Sequence, residues 1–209
     1  MTDEKRPYRK KRRAELEAQT ARRITESAVE LHGTLGPSRT SISAVAKLAG
    51  VRRSTVYRYF PDEVALFTAC STDWMAANPA PDLEPWSTVD DPDQRLAVAL
   101  GEVYGHYRRT QGMMENVLRD EETMPVVKQL LGGYRGYLRA AREVLTRGRE
   151  ARGRRRAMEF AAIGHALAFS TWRSLTIDQG LDDSAAASLM CQLVSAVTAN
   201  AARAQMSPS

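Results

Sequence analysis

The stretch TSISAVAKLAGVRRSTVYRYF, residues 40–60, decides how the rest of the chain is read. Thr40 or Ser41 suits the N-cap of a short helix, where a hydroxyl accepts from orphan backbone N–H groups. Ile42, Val45, Ala46 and Ala49 recur at helical spacing and predict an inward face. Gly50 ends that helix where a left-handed backbone is cheap, and Val51 plugs the turn. Pro61 sets the limit of a second helix, which stops at or before Phe60. Within it Val56 and Phe60 lie four apart on one side. The pairs Arg53 with Tyr57 and Ser54 with Arg58 lie on the other. Two short helices joined by a Gly turn, the second exposing arginines, hydroxyls and tyrosines, form a helix-turn-helix suited to the DNA major groove.

The charge distribution points the same way. Residues 1–60 hold 14 Lys/Arg against 6 Asp/Glu, a formal +8, and residues 61–209 hold 16 against 19, a formal −3. Positive charge therefore gathers around the groove reader, where it would neutralise phosphates and make binding salt-sensitive. Lys5, Arg6, Arg9, Lys10, Lys11, Arg12 and Arg13 form a basic arm over residues 1–13. It is either a solvated tail or an arm that follows phosphates or enters an adjacent minor groove.

These residues resemble the DNA-binding domain of the TetR family of bacterial transcription regulators. The resemblance rests on Thr40-Ser41-Ile42, Val45-Ala46, Ala49-Gly50-Val51 and Thr55-Val56-Tyr57-Arg58-Tyr59-Phe60. The chain departs from the family pattern at three places. Arg52 replaces the usual Ser, so the expected cap of the recognition helix is missing. Arg52 is then a substitute phosphate contact or a solvated turn residue. Ser54 stands where Gly is frequent. Asp62-Glu63 stands where a phosphate-binding Lys is common, and an acidic pair there also suits a helix N-terminus.

The resemblance implies an all-α chain of about nine helices. A three-helix DNA-binding domain, residues 14–61, would precede a ligand-sensing and dimerisation domain, residues 62–209. Base edges would meet Arg53, Ser54, Thr55 and Arg58, with Arg to guanine the specific contact. Phosphates would meet Thr40, Lys47, Arg52, Tyr57 and Tyr59, and Ser41 is a further DNA-binding residue. A small apolar or aromatic effector would sit among Trp74, Tyr104, Tyr107, Met114, Val117, Tyr134, Tyr137, His165, Phe169 and Trp172. The last two helices would pair two subunits through Leu167, Leu175, Met190, Leu193, Val194 and Val197. Two readers about 34–36 Å apart match an inverted-repeat operator. The expected function is a ligand-released repressor, with the fourth helix as the lever. An architectural DNA-binding protein without an inducer is the alternative.

Helical periodicity continues past Phe60, with no alternating run to suggest strands. Helices are expected over residues 62–77, 92–109, 111–119 and 124–149. Another should start after the Arg-rich turn at Gly153 to Arg156 and end near Ile177. A loop broken by Pro79, Pro81 and Pro85 separates the first two. Asp182 or Asp183 should cap a last helix after Gly180. Ser184 to Ala202 is 19 residues without a charge, yet Ser184, Ser188, Gln192 and Ser195 stripe it. That pattern is an amphipathic packing helix, not a membrane span. Gly101, Gly105, Gly132, Gly133 and Gly136 inside helices would make room for a ligand or let helices cross closely.

Enzymatic chemistry has little to build on. His32, His106 and His165 stand apart from Cys or carboxylates at metal-ligand spacing, and no metal or cofactor is expected. No Gly-rich loop follows a strand and no Ser lies in a nucleophile elbow. Asp120-Glu121-Glu122 reads as a solvated helix junction. Cys70 and Cys191 are too few for a disulfide framework, and the charged start is unlike a secretory signal. A bacterial cytoplasmic protein, on the nucleoid when DNA-bound, is the expectation.

Overall fold

The computed structural model describes residues 5–203, with side chains described at residue 8 and residues 10–197. Among the described residues there are ten α-helices and no strand, as expected for an all-α chain. They are α1 Lys5–Thr34, α2 Ile42–Leu48, α3 Arg53–Tyr59, α4 Glu63–Ala77 and α5 Glu84–Ser87. After these come α6 Pro92–Asp120, α7 Pro125–Thr146, α8 Gly153–Ala166, α9 Phe169–Arg173 and α10 Asp183–Arg203. None of the described helices is long and apolar enough to cross a membrane.

The chain divides into two compact units. The first holds residues 1–79 and 112–130; the second holds residues 80–111 and 131–209. In the first unit α1 lays Ile24, Ala28 and His32 inward, and α2 adds Ile42, Val45 and Ala46. Val56 of α3 and Leu66, Phe67 and Cys70 of α4 complete this core. Ser41, one of the two expected caps, and Asp62, expected only to suit a helix N-terminus, both cap helices here. Ser41 Oγ accepts from Ala44 N at 3.2 Å, and Asp62 Oδ1 accepts from Ala65 N at 2.7 Å. Each such cap stabilises its helix by about 1 kcal/mol.

His32 is held neutral inside this core. Its Nδ1 lies 3.5 Å from Cys70 Sγ, and its ring tilts against Phe67 at 5.1 Å. Burial pushes its pKa down to about 4, against the opposing pull of Asp120. Burial pushes the Cys70 thiol up to about 12. Neither group is a reactive centre; both are core.

The same unit corrects the reading of Asp120 as solvated. Its side chain is buried, and Oδ2 accepts from Ser38 N at 2.9 Å. Arg119 donates to Asp120 Oδ1 at 2.9 Å and to Leu35 O at 3.1 Å. Asn116 Nδ2 donates to the carbonyls of His32 and Gly33. Residues 116–120 thus pin the turn between α1 and α2. A Cβ on Gly36, whose φ is 99°, would collide with Arg119 and Asp120.

Burial pushes the Asp120 carboxyl up, but the bonds from Arg119 and Ser38 outweigh it and hold its pKa below the ordinary range. Helix α6 also runs unbroken where two helices were expected. Gly112 is no stop, because a Cβ there would lie 3.2 Å from Gly33 O. The α1 helix starts at Lys5, inside the stretch read as a basic arm ahead of the domain, and α7 ends at Thr146 rather than near Arg149.

In the second unit a one-turn α5 interrupts the Pro-rich loop. It buries Trp86 completely, with Nε1 donating to Glu102 at 2.9 Å. Arg95, also buried, donates to four carbonyls, those of Val89, Asp90, Val144 and Arg147. The expected helix ending near Ile177 is broken at Leu167 and Ala168, then resumes as α9 and a π-turn at Ser174–Asp178. No Gly or Pro causes the break. Tyr104 and Tyr107 hydroxyls donate to the carbonyls of Ala166 and Leu167 at 2.9 and 2.7 Å, satisfying groups that helix continuation would otherwise use. Asp182 caps α10, accepting from Ala185 N at 2.7 Å.

Candidate nucleic-acid interface

The reading segment is built from its turn outward. Gly50 adopts a φ of 66°, its N–H donates to Lys47 O, and Val51 N donates to Ala46 O at 2.9 Å. This left-handed residue ends α2 and lets the chain reverse into α3. Val56, fully buried, anchors α3 by its inner side, and Phe60 is half-buried beside the helix end. With the inner side used in this way, the outer side is left to polar groups.

Arg52, Arg53, Ser54, Tyr57 and Arg58 are exposed, and Thr55 and Tyr59 are half-exposed. Arg53 Cζ lies 6.0 Å from the Tyr57 ring, the predicted i,i+4 pair. The other predicted pair takes a different form. Arg58 turns to Tyr59 instead of Ser54, its Cζ 4.9 Å over the ring and Nη2 donating to Tyr59 Oη at 3.2 Å. Both exposed arginines therefore lie against aromatic rings, an arrangement that lowers the entropy lost on contact. Arg52 makes no cap to α3, as its identity foretold, and leaves the first N–H groups of that helix open.

Of the remaining reader positions, Ser41 and Lys47 are exposed. Thr40 is half-buried with its hydroxyl committed to Gly36 O at 2.8 Å. Glu63 sits in the first turn of α4 beside the Asp62 cap, which is the electrostatic role its type suits. The surface carries four cations, Lys47 on α2, Arg52 at the N-cap of α3, and Arg53 and Arg58 on α3. Asp120 was missed by sequence reasoning, although Gly36-Pro37, three residues before Thr40, was a signal that the preceding turn needs an anchor.

The residues expected to hold an effector divide between the units. Trp74, Met114 and Val117 belong to the first unit. In the second, Tyr107, Phe169 and Trp172 form a packed aromatic cluster, with Tyr107 5.2 Å from Phe169 and 5.9 Å from Trp172, and Tyr104 is buried with its hydroxyl on Ala166 O. Tyr134 joins it through a 2.9 Å hydroxyl bond to Tyr107, while the Tyr137 hydroxyl is buried without a hydrogen-bond partner. Burial raises the pKa of all four tyrosines, so each hydroxyl remains a neutral donor. His165 is exposed, beside Thr171.

A cavity of about 380 Å³ in the second unit has a polar lining, including Asp93, Arg149 and Glu159, and none of the expected effector residues. Among the described residues, a Cβ on Gly101, Gly132, Gly133 or Gly136 would meet nothing within 4 Å. Close helix crossing inside this chain does not explain them. Three of the expected pairing residues, Leu167, Met190 and Val194, are buried in the chain's own core. Leu193 is 50 % exposed, with Leu175 and Val197 half-buried.

Comparison with known proteins bears on the family resemblance and the fold. Residues 24–70 match the bacterial regulatory proteins of the tetR family. A TetR-like transcriptional regulator from Rhodococcus sp. RHA1 superposes with a TM-score of 0.63 at 18% identity, over 84% of this chain and 93% of that one. The regulator FadR from Bacillus subtilis, solved with stearoyl-CoA, gives 0.59 at 20% identity, over 82% and 96%. The fatty acid degradation regulator FadR from Bacillus halodurans gives 0.54 at 19% identity, over 84% and 94%. At these identities the likeness is one of fold. No curated protein matches the chain.

Proposed function

We propose that this chain, whose residues 24–70 match the tetR family of bacterial regulatory proteins, works as a homodimeric repressor of transcription, reading an inverted-repeat operator and released by a small effector. The observation that carries the reading is the outer side of α3. Arg53 and Arg58 stand exposed with aromatic support, while the inner side of the same helix is anchored by Val56. Arg53, Ser54, Thr55 and Arg58 are assigned to base edges. Ser41, Lys47, Arg52, Tyr57 and Tyr59 are assigned to phosphates, and Thr40 supports the turn and offers a weaker contact.

Two-fold pairing gives the readers the spacing of successive major-groove turns. Leu193, with Leu175 and Val197, is the open apolar part of the surface assigned to pairing. An effector acts by favouring one dimer geometry over another, and only to the extent that it binds the two unequally. A small apolar or aromatic molecule matches the chemistry of the Tyr107, Phe169 and Trp172 rings, which pack against one another in the second unit. The stearoyl-CoA bound by one structural relative makes acyl chains the first class to screen.

The test is a comparison of Arg53→Ala with the parent chain on a selected high-affinity duplex and on random duplex. Loss of a base-reading arginine costs about 1–3 kcal/mol on the preferred site and relaxes one position of it. An equal loss on random DNA would remove Arg53 from the base-reading set.

A further inference from the structure

The basic run at the start of the chain is part of α1, whose backbone is helical from Lys5. Seven of the nine residues from Lys5 to Arg13 are cations, followed by Glu15 and Glu17. Every described side chain from Tyr8 to Gln19 is exposed, including Tyr8 at 67 % and Leu16 at 55 %. The inward face of α1 begins only near Ile24. The described side chains of Tyr8 and of residues 10–19 therefore contribute nothing to that core.

Its electrostatics oppose helix formation in isolation. Lys5 and Arg9, Arg6 and Lys10, and Arg9 and Arg13 are like charges at four-residue spacing, which destabilises a helix. The first turn holds no acid, so the positive end of the helix dipole adds to the same charge. Among the described residues of this stretch the one ion pair is Arg13 with Glu17, at 3.0 Å. Lys10, Lys11 and Arg12 are left facing solvent. A polyanion along this helix would relieve both penalties at once.

We propose that the helical extension, residues 5–19, is a second DNA-binding surface that engages phosphates outside the operator half-site and reads no bases. The inference rests on the reading of the chain as a DNA-binding regulator. DNA is the occupant because α1 is also the first helix of the reading unit, and its charge complements the duplex backbone. Fifteen helical residues span roughly 22 Å. That length covers about six base pairs at 3.4 Å each.

The experiment compares the full chain with the triple variant Lys10→Gln, Lys11→Gln, Arg12→Gln, whose sites lie outside the core. Affinities are measured from 50 to 200 mM salt on a selected inverted-repeat duplex and on random duplex, each with and without six extra base pairs per side. Three lost phosphate contacts should make the log–log salt slope shallower by about 3 per protomer, equally on both sequences. That change lowers affinity at 50 mM relative to 200 mM by tens of fold per protomer. Longer flanks should tighten binding of the full chain and not of the variant. An unchanged slope, or a loss confined to the inverted repeat, would overturn the proposal. A parent chain that prefers no sequence would instead refute the regulator reading, while the slope difference still reports on the extension.

Discussion

The outer side of α3 and the tyrosine cluster of the second unit are both rich in polar side chains, yet they differ in where those polar atoms go. On α3 Arg53 and Arg58 are exposed, with Arg58 also donating to Tyr59 Oη, and neither residue is part of the buried core. In the cluster Tyr104, Tyr107 and Tyr134 bond to backbone or to each other, and they hold a helix break that no local residue would produce. Residues unspent on the fold can be assigned to a partner from their chemistry alone. Residues spent on it are core first, whatever their type suggests.

The contrast is sharpest under acid, because the reading unit contains a buried base. The unfolded chain takes up a proton on His32 near pH 6.5, whereas the folded chain holds it off to about 4. Protonation thus favours the unfolded state in that window. The His32 contribution is complete above pH 6.5 and is lost as pH falls toward 4, by up to about 3 kcal/mol. Thermal melts from pH 7 to 4 should show this loss, and His32→Phe should flatten it. An unaltered pH profile in that variant would assign the acid sensitivity elsewhere.

Asp120→Ala comes next in size. It removes the acceptor of Ser38 N–H and one partner of Arg119, leaving a turn donor short of its bond. A cost of about 2 kcal/mol is expected from chemical denaturation. Intact stability in this variant would return Asp120 to the solvated role its neighbours suggested.

Tyr107→Phe probes the other side of the comparison. Loss of its hydroxyl strands the Leu167 carbonyl and the Tyr134 hydroxyl, at about 1–2 kcal/mol of stability. If stability holds while the response to an effector disappears, Tyr107 belongs to the effector site and the cluster is not merely core. Lys47→Ala should have the smallest effect. Binding should weaken by less than about tenfold, evenly on all sequences, with a salt slope shallower by about 0.9 per protomer. Altered sequence preference would move Lys47 into the base-reading set.

How much of this was legible follows the same division. The Ser41, Asp62 and Asp182 caps, the Gly50 turn and the Val56 anchor are local chemistry, and the chain states them within a few residues. The unbroken α6 was hidden because Gly112 resembles a stop, while its reason lies in the distant Gly33 carbonyl. The break at Leu167 was hidden for the converse reason, since tyrosines about 60 residues earlier in the chain satisfy it. Asp120 looked solvated beside Glu121 and Glu122, and only its bond to Ser38 N shows otherwise. Leu167, Met190 and Val194 have the side chains of a pairing face, but the chain's own core takes them.

Selection of bound duplexes from a random pool, at near-physiological salt, tests the central claim most directly. Enrichment of an inverted repeat, with half-sites about one helical turn apart, is the result expected of a dimeric reader built on α3. A pool that emerges unenriched, with binding confined to low salt, would contradict it and leave a charge-driven DNA-binding protein without an operator.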